Sequence, residues 1–331
     1  MTEKKLFGAA AAHPNIAFIK YWGNIDDEMR LAANDSISMN LAALETCTSV
    51  EFVQDGSIDK DTLMINDTRI VQDALNRVSK FLDIAREKTS IHLPARVISV
   101  SNFPMGTGIA SSAAAFAALA MAASEAAGLP YSSEFLSRYA RRGSGSACRS
   151  IPGGFVEWKA GATDETSYAT SFADVTHWDL VDCIAIISEE HKSVGSTAGH
   201  AAASTSPLQT ARLADSARRF QACRQAILDQ DFSAFAEVVE QDSTMMHSVM
   251  MTSNPPLFYW APASLHLMKV IPQWRRNGIP VCYTLDAGAN VHAITTQAYA
   301  KTVEESLLAV HGVKSVQKSN PGGGTHLCIK K

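Results

Sequence analysis

The stretch that most constrains what this 331-residue chain can fold into is Ser101–Ala120, SNFPMGTGIASSAAAFAALA. It opens polar, passes Gly106 and Gly108 in a tight turn, reaches paired hydroxyls at Ser111 and Ser112, and then turns alanine-rich. Alanine is the best helix former, so Ala113–Ala123 reads as a helix. The glycines would leave the backbone close to that helix's start, where unpaired N–H groups and the dipole attract anions. Such a turn could cradle phosphates, with a serine hydroxyl left to hold Mg²⁺. It lacks the lysine of G-x-x-x-x-G-K-[ST], and its spacing does not match the G-x-G-x-x-G of a dinucleotide site. By itself it reads equally well as a glycine turn feeding a close-packed helix.

Length allows a large core in two lobes of one compact unit. A hydrophobic fraction of 46% with 19% charged residues suits a globular enzyme rather than a disordered chain. Net charge is −4, so no global basic field attracts nucleic acid, and a phosphate ligand must meet local positive charge. The six cysteines show no C-x-x-C spacing, which suggests reduced thiols rather than a disulfide frame or zinc site. The first residues make a poor signal peptide, and no run of 18 apolar residues offers a membrane span. A soluble, cytoplasmic protein is the expectation.

In chain order, Ala9–Tyr21 reads as a strand with Lys20 near its end, either snorkelling or aimed as a point charge into a phosphate pocket. Thr46–Phe52 alternates and is β-branched, so it predicts a strand. A hairpin follows at Leu63–Ile65 and Arg69–Ile70, then a helix over Val71–Ile84 and a strand over Arg96–Ser101. Ser132 and Ser133 resemble an N-cap for a helix ending at Gly143. Next comes GSGSACRS, Gly143–Ser150, either a flexible loop or a dense donor set in which Arg149 grips a carboxylate or phosphate. Asp182–Ser188 predicts a central strand, and Lys192–Ser204 a small-residue loop entering a helix. Helical patterns run over Ala211–Gln230, Ala234–Ser248 and Ser264–Asn277. Asp286, after the strand Val281–Leu285, is either a turn former or a catalytic carboxylate. A strand at Val291–Thr295, a helix over Thr296–Val310 and a last strand near His326–Ile329 complete the chain. Gly322–Gly324 is either a close backbone approach or a plain loop. Strands and helices without regular alternation argue α+β. The lobe boundary falls near Asp174–Asp182, giving residues 1–178 and 179–331, with the C-terminal helix and strand packing back between the lobes.

Four stretches together resemble the mevalonate diphosphate decarboxylase family of the GHMP kinase superfamily: HPNIAFIKYWGN with NDSISMN, NFPMGTGIASSAAAFAAL, RRGSGSACRS…GGFVEW, and TLDAGANV. They lie in the family's order and span nearly the whole chain. The resemblance implies a GHMP-kinase fold with the active site between the lobes, ATP and Mg²⁺, a phosphorylated mevalonate and a homodimer. By the same resemblance Asp286 faces the substrate's C3 hydroxyl, Lys20 is its partner lysine and Arg149 pairs with the C1 carboxylate. Ser144, Ser146, Ser196 and Tyr21 match contacts to the 5-phosphate group, while Asn15 and Ala17 line the mevalonate pocket. Asn102, Gly106, Thr107, Gly108, Ile109 and Ala110 would surround the triphosphate, and Ser111 or Ser112 would meet Mg²⁺.

Two departures bear on the substrate. The family's KYWGK ends here in Asn24, and its V-S-S-R-x-G-M becomes Val194–His200, with Thr197 for the arginine and His200 for the methionine. A lost charge-assisted contact is worth about 1.5–3 kcal/mol. The expected preference is therefore mevalonate 5-phosphate giving isopentenyl phosphate, with the 5-diphosphate as the alternative. Two rivals are a kinase that stops after phosphorylation and a non-catalytic sensor of a phosphorylated metabolite. The presence of Asp286, Lys20 and Arg149 together argues against both.

Overall fold

The computed structural model describes residues 6–103, 111–190 and 195–328, so the glycine turn expected to hold phosphates, Gly106–Ala110, lies outside the described residues. Among the described residues the N-terminal lobe carries two large sheets and a two-stranded one, Asn24–Asp26 with Leu31–Ala32. The six-stranded one runs His326–Leu327, Phe7–Ala12, Thr46–Phe52, Ala95–Ser101, Thr62–Ile65, Thr68–Ile70. Its pairings are antiparallel except that of Thr62–Ile65 with Ala95–Ser101. The alanine-rich helix, Ser111–Ala127, lies on this sheet with small side chains buried on nearly every side. The two approach so closely that a Cβ added at Gly8 would stand 2.2 Å from the Ala122 carbonyl oxygen.

A four-stranded sheet, Ala169–Ala173, Phe155–Trp158, Ser36–Asn40 and Asn15–Ile19, carries the site residues of this lobe. The single strand expected over Ala9–Tyr21 is thus two strands in different sheets. Pro14 cannot donate to a ladder, and His13–Pro14 is where the chain passes from one sheet to the other.

In the C-terminal lobe the order is Val281–Thr284, Val291–Thr296, Leu180–Ile186, Ser315–Ser319. The apolar run Leu180–Ile186 is buried on both faces. Leu180, Ile184 and Ile186 join a core with Phe220, Phe235 and Phe18, while Val181, Cys183 and Ala185 join another with Leu267, Val303 and Leu307. The first of these cores also contains Ile16, Met39 and Phe155, so the lobes share packing.

The helix expected over Ala211–Gln230 breaks at Asp215 into Gln209–Ala214 and Ser216–Asp229. The segment Gly322–Gly324 is a close approach: Gly154 N–H donates to the Gly322 carbonyl, and a Cβ on Gly153 would meet Gly324 N at 2.6 Å. Beyond it, His326–Leu327 returns to the first strand of the other lobe. All six cysteines are free, and no helix among the described residues is long and apolar enough to cross a membrane.

Candidate active site

Two strand ends from opposite lobes meet at the centre. Asn15–Ile19 delivers Lys20, which is 1% exposed. A buried ammonium is costly unless paired, and Lys20 Nζ donates to Asp286 Oδ1 at 2.6 Å. Asp286 stands just past Val281–Thr284, where the Leu285 N–H donates to Ser243 Oγ of the helix Phe232–Thr252 at 3.0 Å. Burial would raise the Asp286 carboxyl, but the charges of Lys20, His292 and Arg149 outweigh it and hold the group below its ordinary range. It is therefore a carboxylate at neutral pH. Burial lowers Lys20, with Asp286 and Asp242 recovering part of the shift.

The lysine's main chain is held as firmly as its tip. Its N–H donates to Asp242 Oδ2 at 2.6 Å. Its carbonyl accepts from Arg212 Nη2 at 2.7 Å and Asn34 Nδ2 at 3.0 Å. Asp242 also accepts from Arg219 Nε at 2.8 Å, so a buried charged network in the C-terminal lobe fixes a residue of the N-terminal one.

Gly145–Ser150 is a buried 3₁₀ helix, not a flexible loop. It presents Arg149, 3% exposed, whose Nε donates to Asn15 Oδ1 at 3.2 Å and whose Nη1 donates to Ser36 Oγ at 2.7 Å. No carboxylate among the described residues pairs with it. A buried guanidinium with two neutral acceptors keeps both its charge and several donors for a further partner, and an anion supplies what is missing. Asn15 is fixed in turn, donating to the Ser146 carbonyl at 3.1 Å and Ser150 Oγ at 2.8 Å.

Lys20, Asp286 and Arg149 open into one cavity of about 260 Å³. Asn15, Ala17 and Tyr21 line it, as do Ser144 and Ser146 of the 3₁₀ segment, Ser111 and Ser112 at the helix start, and His200. Ser112 Oγ lies 3.2 Å from Ser144 Oγ, joining the expected phosphate and substrate sides. His200 stacks on Tyr21 with ring centroids 4.0 Å apart, and its Nδ1 accepts from the Gly23 N–H at 3.0 Å. Among the described residues no group of three or more His, Cys, Asp or Glu is placed to hold a metal by itself. Hydroxyls beside one carboxylate suit Mg²⁺, a hard ion that keeps its waters and is bound largely through substrate phosphates.

Two expected residues stand elsewhere. Asn24 does not line the cavity, because its Oδ1 accepts from the Tyr21 hydroxyl and its Nδ2 donates to Asp27 at 2.7 Å. Asn102 is committed to the turn at Ala43–Glu45, accepting from the Glu45 N–H and donating to the Ala43 carbonyl. Ser196 begins the helix Ser196–Ala202, and its side chain lies outside the description. Sequence reasoning missed Arg30, Arg77 and Trp22, which also line the cavity, as does Met246. Arg77 sits on an exposed-looking helix and Arg30 in a polar turn, where nothing separates them from solvated charges.

A family profile described as the diphosphomevalonate decarboxylase-like N-terminal domain matches residues 12–169, and one for the mevalonate 5-diphosphate decarboxylase C-terminal domain matches residues 183–325. The chain is 36% identical over 301 residues to the diphosphomevalonate decarboxylase of Candida albicans, covering 86% of this chain and 83% of that one. The structure "MDDEF in complex with MVAPP, AMPPCP and Magnesium" superposes with a TM-score of 0.92 at 35% identity, covering 98% of this chain and 99% of that one. Mevalonate diphosphate decarboxylase from Staphylococcus aureus gives 0.92 at 34% identity, with 98% of each chain covered.

Proposed function

The chain belongs to the diphosphomevalonate decarboxylase family, and on that premise we propose that it converts mevalonate 5-diphosphate to isopentenyl diphosphate. As a member of the family it is an ATP-dependent decarboxylase of isoprenoid biosynthesis with the GHMP-kinase fold. The observation that carries the site assignment is the buried Arg149, without a carboxylate partner among the described residues, sharing one cavity with the Lys20–Asp286 pair.

ATP bound with Mg²⁺ supplies the γ-phosphoryl group that the substrate's C3 oxygen takes up. Asp286 orients the C3 hydroxyl and accepts its proton at a carboxylate oxygen. Lys20 keeps that carboxylate ionised and neutralises charge on the phosphoryl group in transfer, where positioning and charge carry most of the rate. Arg149 grips the C1 carboxylate with the donors its protein partners leave over. When the C3 phosphate departs with the C–O electron pair, the C1–C2 pair forms the C2=C3 double bond and CO₂ leaves. Ser111 and Ser112 would hold the metal-bearing phosphates, while Ser144, Ser146 and Tyr21 meet the 5-phosphate end.

The departure at position 24 leads the sequence reading to the 5-phosphate as substrate, with Thr197 counting for little, whereas the names of the relatives support the diphosphate alternative. The 5-phosphate stays as a second reading on one observation, the Asn24 amide turned away from the cavity. Incubation with ATP, Mg²⁺ and each substrate, with ADP, CO₂ and product mass measured together, decides between them. ADP without CO₂ would overturn the decarboxylation, and a higher kcat/KM for the 5-phosphate would overturn the diphosphate. A homodimer, cytoplasmic residence and the lobe boundary at residues 178 and 179 complete the proposal. Family likeness supports the dimer, free thiols support the compartment, and the two matched profiles fall on either side of the boundary.

A further inference from the structure

The cavity's missing cation has a replacement on the same hairpin. Asn24–Asp26 pairs with Leu31–Ala32, and the turn between them ends at Arg30, which holds a left-handed φ of 51°. A non-glycine residue there is strained by about 1–2 kcal/mol, and such strain gathers where a side chain must be aimed. Arg30 Nε donates to the Arg142 carbonyl at 3.1 Å. Arg77 comes from the helix Asp73–Thr89 and donates Nε and Nη2 to the adjacent Gly143 carbonyl at 3.2 and 2.6 Å. Both guanidiniums are thus docked by one edge on the last carbonyls of the helix Ser133–Gly143. Nη1 and Nη2 of Arg30 and Nη1 of Arg77 make no hydrogen bond to any described residue. Neither arginine has a carboxylate partner among the described residues, and both line the cavity. Their charges oppose each other: burial first, then Arg30, pulls the Arg77 guanidinium down to about 10. Two like charges held together by carbonyls, with free edges toward a cavity, are arranged for an anion bearing several oxygens.

Resting on the diphosphate reading above, we infer that Arg30, backed by Arg77, binds the terminal phosphate of the substrate and so restores at the turn the cation absent at Asn24. Arg30 is then the residue that distinguishes the diphosphate from the 5-phosphate. The chain needs no lysine at 24, whose amide braces Tyr21 and Asp27 instead.

The test compares wild type, Arg30→Gln, Arg30→Lys and the double variant Arg30→Gln/Asn24→Lys on three titrations: mevalonate 5-diphosphate, mevalonate 5-phosphate and ATP. Arg30→Gln should raise KM for the diphosphate about ten- to hundredfold, the factor one charge-assisted contact carries. KM for the 5-phosphate and for ATP should stay within about twofold on the same physical account, since neither loses that contact. Arg30→Lys should recover part of the loss, and the double variant should recover more. Equal losses on both mevalonates, or a change confined to KM for ATP, overturns the inference while leaving the diphosphate reading intact. A wild-type enzyme that rejects the diphosphate overturns both.

Discussion

Removing one member of the Lys20–Asp286 pair tests whether these side chains act as a unit, and the structure fixes the order of the effects. Breaking a buried ion pair from one side costs about 3–5 kcal/mol, because the surviving charge stays buried without compensation. The sides are unequal here: the Lys20 side chain is 2% exposed and that of Asp286 25%. Water reaches an orphaned Asp286 but not an orphaned Lys20. Asp286→Asn should therefore fall near the upper end of that range and Lys20→Met near the lower, by urea unfolding of the ligand-free protein with unchanged m. The double variant should lose clearly less than the sum of the singles, a coupling of about 1–3 kcal/mol. Acid supplies an independent sign. The folded pKa of Asp286 lies below its ordinary 3.8, so its stabilisation is complete above that value and is lost as pH falls through the lower folded one. The gap between wild type and Asp286→Asn should close in that acid window and open fully just above it, narrowing again only where the orphaned, burial-lowered Lys20 loses its proton. Additive losses, or Lys20→Met the more damaging single change, would refute the reasoning.

Asp286→Asn should also lower kcat by about 10²–10⁴-fold, the range for a lost general base, in a coupled ADP assay. Arg149→Leu should lower kcat/KM for the mevalonate substrate by at least about tenfold, the loss of one charge-assisted contact. It should also release ADP in excess of CO₂, since the carboxylate is no longer held for the second step; a constant ADP to CO₂ ratio counts against that role. At Gly145 a Cβ would stand 2.6 Å from the Tyr21 ring, so Gly145→Ala should cost about 1–3 kcal/mol and raise KM for the substrate, read by thermal melts and initial rates. Asn24→Lys should move preference toward the diphosphate; identical kcat/KM ratios before and after would show that position 24 does not address that end.

What was legible in the sequence were elements whose signals are local. Thr46–Phe52 alternates along its whole length and is a strand with those bounds. Ser132 caps the helix ending at Gly143, accepting from the Phe135 N–H as a capping serine should. The strands Ala169–Ala173 and Ser315–Ser319 escaped because they are sheet edges with polar, half-exposed side chains, which leave no apolar period to count. The proposed pairing of Lys20 with Asp286 came only through resemblance, since nothing local links Lys20 to an acid 266 positions away. Arg212, Arg219 and Asp242 belong to no motif, and the structure alone reveals that Arg212 and Asp242 hold the lysine's backbone while Arg219 pairs with Asp242. The expected substrate preference rested mainly on the missing cation at position 24, with Thr197 counting for little. Arg30 lies outside any motif, so its compensating charge was invisible until the hairpin placed it.

The anchoring of Lys20 through its own amide and carbonyl has a consequence for how the protein is made. Two of its three holders, at positions 212 and 242, leave the ribosome about 200 residues after the lysine does. A nascent N-terminal half lacks both of these anchors, so on the role proposed for Lys20 the centre is completed only when the second half docks. On that proposal, turnover waits for the finished polypeptide.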